Sequence, residues 1–190
     1  MNYKAIAFAA CLGLLVGPGL RADDDSGPKA GEKVAKLKAY GVVGPVEKKE
    51  ADFAAERKDG PTVYVFVAAE EGGQPVGGRP AARFMKKLDE EIGKVDGAAV
   101  VAIWLGDKAF DKHKDYLPKI NMSLSFEKTQ LAAFDGHKSG PDGWAINGDT
   151  HITAVVVNKG KVAKSFAYVS VNEKDVREVM AELKKAIDKK

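Results

Sequence analysis

The sequence predicts an α/β fold in which a central mixed β-sheet carries helices on both faces, and three stretches predict it. Pro61 to Ala68 is an apolar, β-branched run, followed by a glycine-rich loop, an amphipathic stretch from about Arg79 to Gly93, and a second apolar run from Ala98 to Leu105. That order is β-α-β with a crossover long enough to make the two strands parallel. Ile152–Val157 and Lys161–Tyr168 are joined through Asn158-Lys-Gly160, the spacing of an antiparallel hairpin. A helical stripe of Val176, Val179, Met180, Leu183 and Ile187 then closes the chain.

Taken in order, the elements are as follows. Lys33 to Val46 contains a short first strand that ends near Gly44-Pro45. Glu50 to Arg57 reads as a single helical stretch presenting Phe53, and Lys58-Asp-Gly-Pro61 as a turn. Thr62 to Val67 has almost no polar break, as suits a strand covered on both faces. In the following helix Phe84, Leu88, Ile92 and Val95 form one stripe, and Pro80 sits in the first turn, where its missing N–H costs nothing. Asp107 to Leu117 predicts a short helix stopped by Pro118. Ser123–Phe126 and Gln130–Phe134 are short apolar pieces that supply one extra strand. Asp135 to Gly143 is a surface loop of turn formers, and Trp144-Ala-Ile146 returns to the core. Ser170-Val-Asn-Glu173 matches a capping box for the last helix, whose C-terminal lysines complement its dipole.

The start of the chain reads as an export signal over residues 1–22: Lys4, an apolar run from Ala5 to Val16 too short to span a bilayer, and a cleavage site at Leu20-Arg21-Ala22. A retained N-terminal anchor and a lipoprotein modified at Cys11 are the alternatives. Removal of 22 residues from 190 leaves 168, and the loss of Lys4 and Arg21 lowers the net charge from +3 to +1. Residues 23–40, opening with three aspartates, are expected to form a flexible leader, and residues 41–190 the domain. The domain's lysines and acids are interleaved, which describes a solvated surface and not a nucleic-acid stripe. Cys11 is the only cysteine, so the exported chain has no disulfide and no thiolate nucleophile, and its stability rests on core packing. No membrane contact is expected once the signal is removed, and the destination is the periplasm or the medium.

From about Val42 to Ile187 the order of elements resembles the thioredoxin-like superfamily. Ala132-Ala-Phe134-Asp135, then Trp144-Ala-Ile146 before the last hairpin, is similar to the peroxiredoxin and TlpA-like branch, and Ile152 to Val162 resembles that branch's last two strands and their glycine turn. The resemblance implies a thioredoxin-like fold. Oxidoreductases of the superfamily carry Cys-x-x-Cys where the central strand feeds its helix, and the helix start lowers the first thiol's pKa. Matching Leu88-Asp-Glu90 to the family's acidic step puts that motif on Gly78, Arg79, Pro80 and Ala81, so the proline is kept and both cysteines are gone. The family's cis-proline matches Thr153. A non-proline cis bond costs ~2.5–4 kcal/mol, so the Ile152–Thr153 bond is expected to be trans.

These departures imply a protein without thiol-disulfide or peroxidase activity: a binding or scaffolding module of the cell envelope with a protein or small-molecule partner and no cofactor. Its expected binding residues are Gly78, Arg79, Pro80, Ala81 and Thr153, with no catalytic residue and no metal ligand assigned. The Glu70–Arg79 loop reads either as a ligand surface beside Arg79 or as a mobile insertion. The alternative is a metal carrier or a non-thiol enzyme that uses this loop or the histidines. His113, His137 and His151 lack the spacing of a site and read as loop or surface residues, even with Met122, Asp111, Asp115 or Asp135 nearby. A Ser139/His137/Asp135 triad is rejected, because sequence neighbours rarely supply triad geometry and there is no Gly-x-Ser-x-Gly elbow.

Overall fold

The computed structural model describes residues 25–189; the expected signal over 1–22 lies outside the described residues. The elements are β1 (Lys38–Val43), β2 (Lys49–Asp52), α1 (Phe53–Arg57), β3 (Thr62–Ala68), α2 (Gly78–Ile92), β4 (Ala99–Leu105), α3 (Phe110–Leu124), β5 (Thr129–Ala133), β6 (Ile152–Asn158), β7 (Lys161–Tyr168) and α4 (Val176–Asp188). All seven strands form one sheet in the order β2-β1-β5-β4-β3-β6-β7. β3, β4 and β5 are parallel neighbours, β6 runs antiparallel to β3, and β7 antiparallel to β6.

The continuous apolar runs follow from this layering. Val63, Val65 and Val67 of β3 and Val100, Ala102 and Trp104 of β4 face α2, α3 and α4 in one core cluster. Tyr64, Phe66, Val101, Ile103 and Leu105 face the other side, under α1, Leu37, Trp144 and Ile146. Both faces are therefore covered, by three long helices on one and by α1 and irregular chain on the other. Trp144, 1 % exposed, packs at 5.0 Å from Tyr64 and 4.9 Å from Phe66 and donates its indole N–H to the Lys36 carbonyl at 3.0 Å. Burial pushes the Tyr64 phenol far above its ordinary range, against smaller opposing pulls from Arg57 and Thr62.

Several expectations are corrected. Residues 49–52 are not helical: they pair antiparallel with β1, and the helix starts only at Phe53. Asp52 forces the break, since its Oδ1 accepts the Ala54 and Ala55 N–H groups as an N-cap and also the Leu37 N–H. α3 does not stop at Pro118 but runs through it to Leu124. Pro118 lies on the exposed side while Leu117 and Ile120 are buried, so packing offsets the lost backbone bond. Only the second apolar piece becomes the extra strand, β5; Ser123 and Leu124 end α3. The expected Ser170–Glu173 capping box gives way to a side-chain-closed turn over Asn172–Asp175, and α4's own N-cap, Asp175, makes no side-chain cap bond. Asn172 Oδ1 accepts the Lys174 N–H, and Asp175 Oδ2 accepts the Asn172 N–H, ahead of a helix that begins at Val176. Glu173 instead pairs with Arg83 at 3.5 Å.

The chain from Asp25 to Leu37 is not a free leader. Gly31 and Val34 donate to Val162 and Gly160, Val162 donates to Glu32, and Gly27 donates to Ala145. This strap covers the start of the β7 edge, and Lys38–Tyr40 already belong to β1.

Candidate functional site

β3 ends at Ala68, and a tight turn leads from it into α2. Ala69 bridges to Pro75, Glu70 N–H donates to Gln74, Gly73 N–H to Glu70, and Val76 N–H to Ala68. The turn is docked on its neighbours. Trp104, fully buried on β4, donates its indole N–H to the Gly73 carbonyl at 2.8 Å. Gly73 rests on Tyr116, Glu71 pairs with Lys112 at 2.7 Å, and His113 Nε2 lies 3.2 Å from the Glu70 carbonyl. The Lys112 ammonium holds the Glu71 carboxyl below its usual range. The turn therefore rests on both β4 and α3. The sequence places Trp104 in the core or at its edge and does not show its link to Gly73 or the place of Tyr116 beneath the turn. The available signal was a tryptophan inside a buried strand, whose N–H must find an acceptor beyond the sheet.

Gly77 and Gly78 then take left-handed backbone, φ 88° and 56°, and start α2 with no side-chain cap. Gly78, Arg79 and Pro80 are exposed, whereas Ala81 is buried under the helix. The first turn of α2 is thus open to solvent, with one arginine and no acid, while the Gly78 N–H already donates to Pro75 and Pro80 has none to offer. Further along, buried Asp89 fixes the helix. Its carboxylate accepts the Glu127 and Lys128 N–H groups and the Thr129 hydroxyl at 3.0, 2.9 and 2.7 Å.

Thr153 does not join this group. Its neighbours Ile152 and Ala154 belong to the α2 side of the sheet, so its own side chain points to the opposite face. There it completes a closed ring of hydrogen bonds. Asn147 N–H donates to Ser26 Oγ (2.9 Å), Ser26 meets Thr153 (2.6 Å), Thr153 meets Thr150 (3.0 Å), and Thr150 donates to the Asn147 carbonyl (2.8 Å). Each hydroxyl has one proton, so donation runs one way round the ring. The residue that lies against the helix start is His151: a Cβ at Gly77 would come 3.2 Å from its Nδ1. No peptide bond among the described residues is cis, Ile152–Thr153 included.

The histidines separate. His113 is buried on α3, which corrects its reading as a surface residue, and burial holds its imidazole below the ordinary range. His137 is exposed, with Nδ1 on Ser139 Oγ and Nε2 3.7 Å from Asp107, not Asp135. Among the described residues no three His, Cys, Asp or Glu side chains converge as a metal site.

No family model and no curated protein matches the sequence. Solved structures do match. A secreted thiol-disulfide isomerase from Corynebacterium glutamicum aligns over 88% of this chain and 98% of its own, with TM-score 0.58 and 12% identity. A peroxiredoxin-like protein from Aquifex aeolicus aligns over 88% and 90%, with TM-score 0.53 and 16% identity. The pneumococcal exposed lipoprotein thioredoxin from Streptococcus pneumoniae aligns over 80% and 99%, with TM-score 0.54 and 14% identity. With its β3-α2-β4 unit and β6–β7 hairpin sharing one mixed sheet, and with these structures superimposing on most of its length, the chain has the thioredoxin-like fold, built on a sequence whose one cysteine is Cys11.

Proposed function

We propose that this protein is an exported, non-redox thioredoxin-like module that binds a protein or small-molecule partner of the cell envelope. Its working surface is the open start of α2, Gly78, Arg79 and Pro80, with His151 beside it and the docked Glu70–Val76 turn in front. The observation that carries this reading is a helix start left exposed and glycine-lined, between His151 and a docked turn; the resemblance matches it to the thiol motif of redox members. Export is supported by the signal-like start and by similar structures described as a secreted isomerase and an exposed lipoprotein.

Two measurements test it. Protein spanning residues 23–190 should reduce no insulin disulfides and no peroxide above the uncatalysed rate; thiol-dependent turnover by this cysteine-free chain refutes the non-redox reading. A photo-reactive residue in place of Arg79 should give a discrete adduct in envelope extracts, and one in place of Met122, 80% exposed on α3, should not. Identical adducts at both positions, or none at Arg79, remove the surface.

A further inference from the structure

Behind the turn lies an ionisable group that the surface itself does not use. His113 is fully buried on α3, and its ring packs against Gly106. Its Nε2 faces the Glu70 carbonyl oxygen at 3.2 Å. A carbonyl only accepts, so the ring proton sits on Nε2 and Nδ1 is a bare lone pair. Nδ1 is buried and has no hydrogen-bond partner. A second proton placed there would find no acceptor and would create a buried, unpaired cation.

The charged groups around the ring do not relieve this. From the turn come Glu70 and Glu71, from the segment after β4 come Asp107 and Lys108, and α3 itself adds Asp111, Lys112, Lys114 and Tyr116. Glu71 is paired with Lys112 and Asp111 with Lys114, and Asp107 accepts the Lys138 N–H. None forms an ion pair with His113, whose basicity is set by burial first and by the Glu70 carbonyl second.

We infer that His113 is an acid-sensitive latch: on acidification its ring takes a proton at Nδ1, and the Glu70–Val76 turn lifts off α3, remodelling the surface at the start of α2. That this surface is a binding one rests on the function proposed above; the latch does not. Lifting breaks the contact of His113 with Glu70, the Trp104 bond to Gly73 and the Lys112–Glu71 pair. The bonds inside the turn can survive, and left-handed Gly77 and Gly78 provide the hinge on the α2 side. The closed state holds the ring neutral and the lifted state lets it charge, so protons favour lifting. With an ordinary imidazole pKa of about 6.5 in the lifted state, the opening equilibrium rises up to about tenfold between pH 7.5 and 5.5.

The two tryptophans supply the readout. Solvent exchange of the Trp104 indole N–H, corrected for the intrinsic effect of pH, should lose protection by about that factor. The Trp144 indole N–H, bonded to Lys36 on the opposite face, should not change. His113→Gln keeps a donor for Glu70 without a titrating ring, and should leave Trp104 protection flat. In the unsubstituted protein the His113 Cε1–H resonance should remain that of the neutral ring wherever Trp104 stays protected and titrate only as that protection is lost, which keeps the test open should the variant not fold. Unchanged Trp104 protection across this range, an equal loss in His113→Gln, or ring titration without indole exchange overturns the latch. None of these outcomes involves a partner, so they leave the Arg79 crosslinking result to stand or fall alone.

Discussion

Gly73→Ala is the sharpest test of whether the turn before α2 is built or incidental. Gly73 is buried with φ 91°, and an added Cβ would come 2.6 Å from Tyr116 Cβ and 2.8 Å from its Cγ. Tyr116 Cβ is fixed to the α3 backbone, so no rotamer change relieves the contact. An L-residue in left-handed backbone costs ~1–2 kcal/mol. If the turn moves away instead, the Trp104 indole N–H loses the Gly73 carbonyl, and a buried donor left unpaired costs ~1–3 kcal/mol. The cheaper of strain and lifting sets the outcome, so we expect a loss of about 2 kcal/mol, which for a chain of this size lowers Tm by about 4–8 °C. Gly72→Ala is the matched control. Gly72 is exposed, and an added Cβ meets first the Gln74 side-chain amide, which can swing away; its effect should stay within ~0.5 kcal/mol. Urea and thermal unfolding followed by far-UV circular dichroism, with the Trp104 indole resonance as a local probe, separate the two. Equal stability of the two variants, with the Trp104 N–H still protected in Gly73→Ala, would show that the turn is not held as described.

Two other outcomes follow from the anchoring of α2. Asp89→Ala removes the acceptor shared by the Glu127 and Lys128 N–H groups and the Thr129 hydroxyl and should cost about 3–5 kcal/mol in urea unfolding, while Asp89→Asn, which turns one oxygen into a second donor, should cost about half as much; equal, sub-kilocalorie effects would contradict a buried anchoring role. Hydrogen bonds from Lys87 and then Lys94 hold the Glu91 carboxyl at about 2. A depressed folded pKa contributes stability that is present above the unfolded value and is lost as pH falls towards 2, so the pH dependence lies between about 4.5 and 2. Replacing both lysines by Met should return the Glu91 titration, followed by carboxyl NMR, towards 4.5 with little change in Tm at neutral pH; an unmoved titration would exclude the lysines as its cause.

The parts of the fold that were legible were those with a repeating physical signal. Thr62–Ala68 and Ala99–Leu105 are unbroken apolar runs because both sheet faces are covered, and Asn158-Lys-Gly160 marks its hairpin by backbone chemistry. The misreadings came where a local rule met tertiary packing. Pro118 is a helix breaker by propensity, yet Leu117 and Ile120 on its flanks are buried and carry α3 onward. Lys49–Asp52 has no strand composition and is a strand only because β1 offers it an edge. Asp25–Leu37 looks like a polar leader, but its backbone N–H and C=O groups complete the edge of β7, a bond no composition reveals.

The site shows the same division at finer scale. Gly78 to Ala81 form the first turn of α2, a long amphipathic element whose register its buried stripe enforces. Thr153 is the match to the family's cis-proline ahead of the penultimate strand, and in a strand a displacement of one residue carries a side chain to the other face of the sheet. The strand register resolves this: Ile152 faces α2, Thr153 faces the strap, and His151, one residue before β6, reaches Gly77. Gly77 is therefore constrained twice, by a left-handed backbone and by the imidazole against it. A side chain there would have to displace His151 from the helix start. The absence of one at Gly77, and the open space beyond Gly78, leave the start of α2 exposed around Arg79, which is what a binding surface at this position requires.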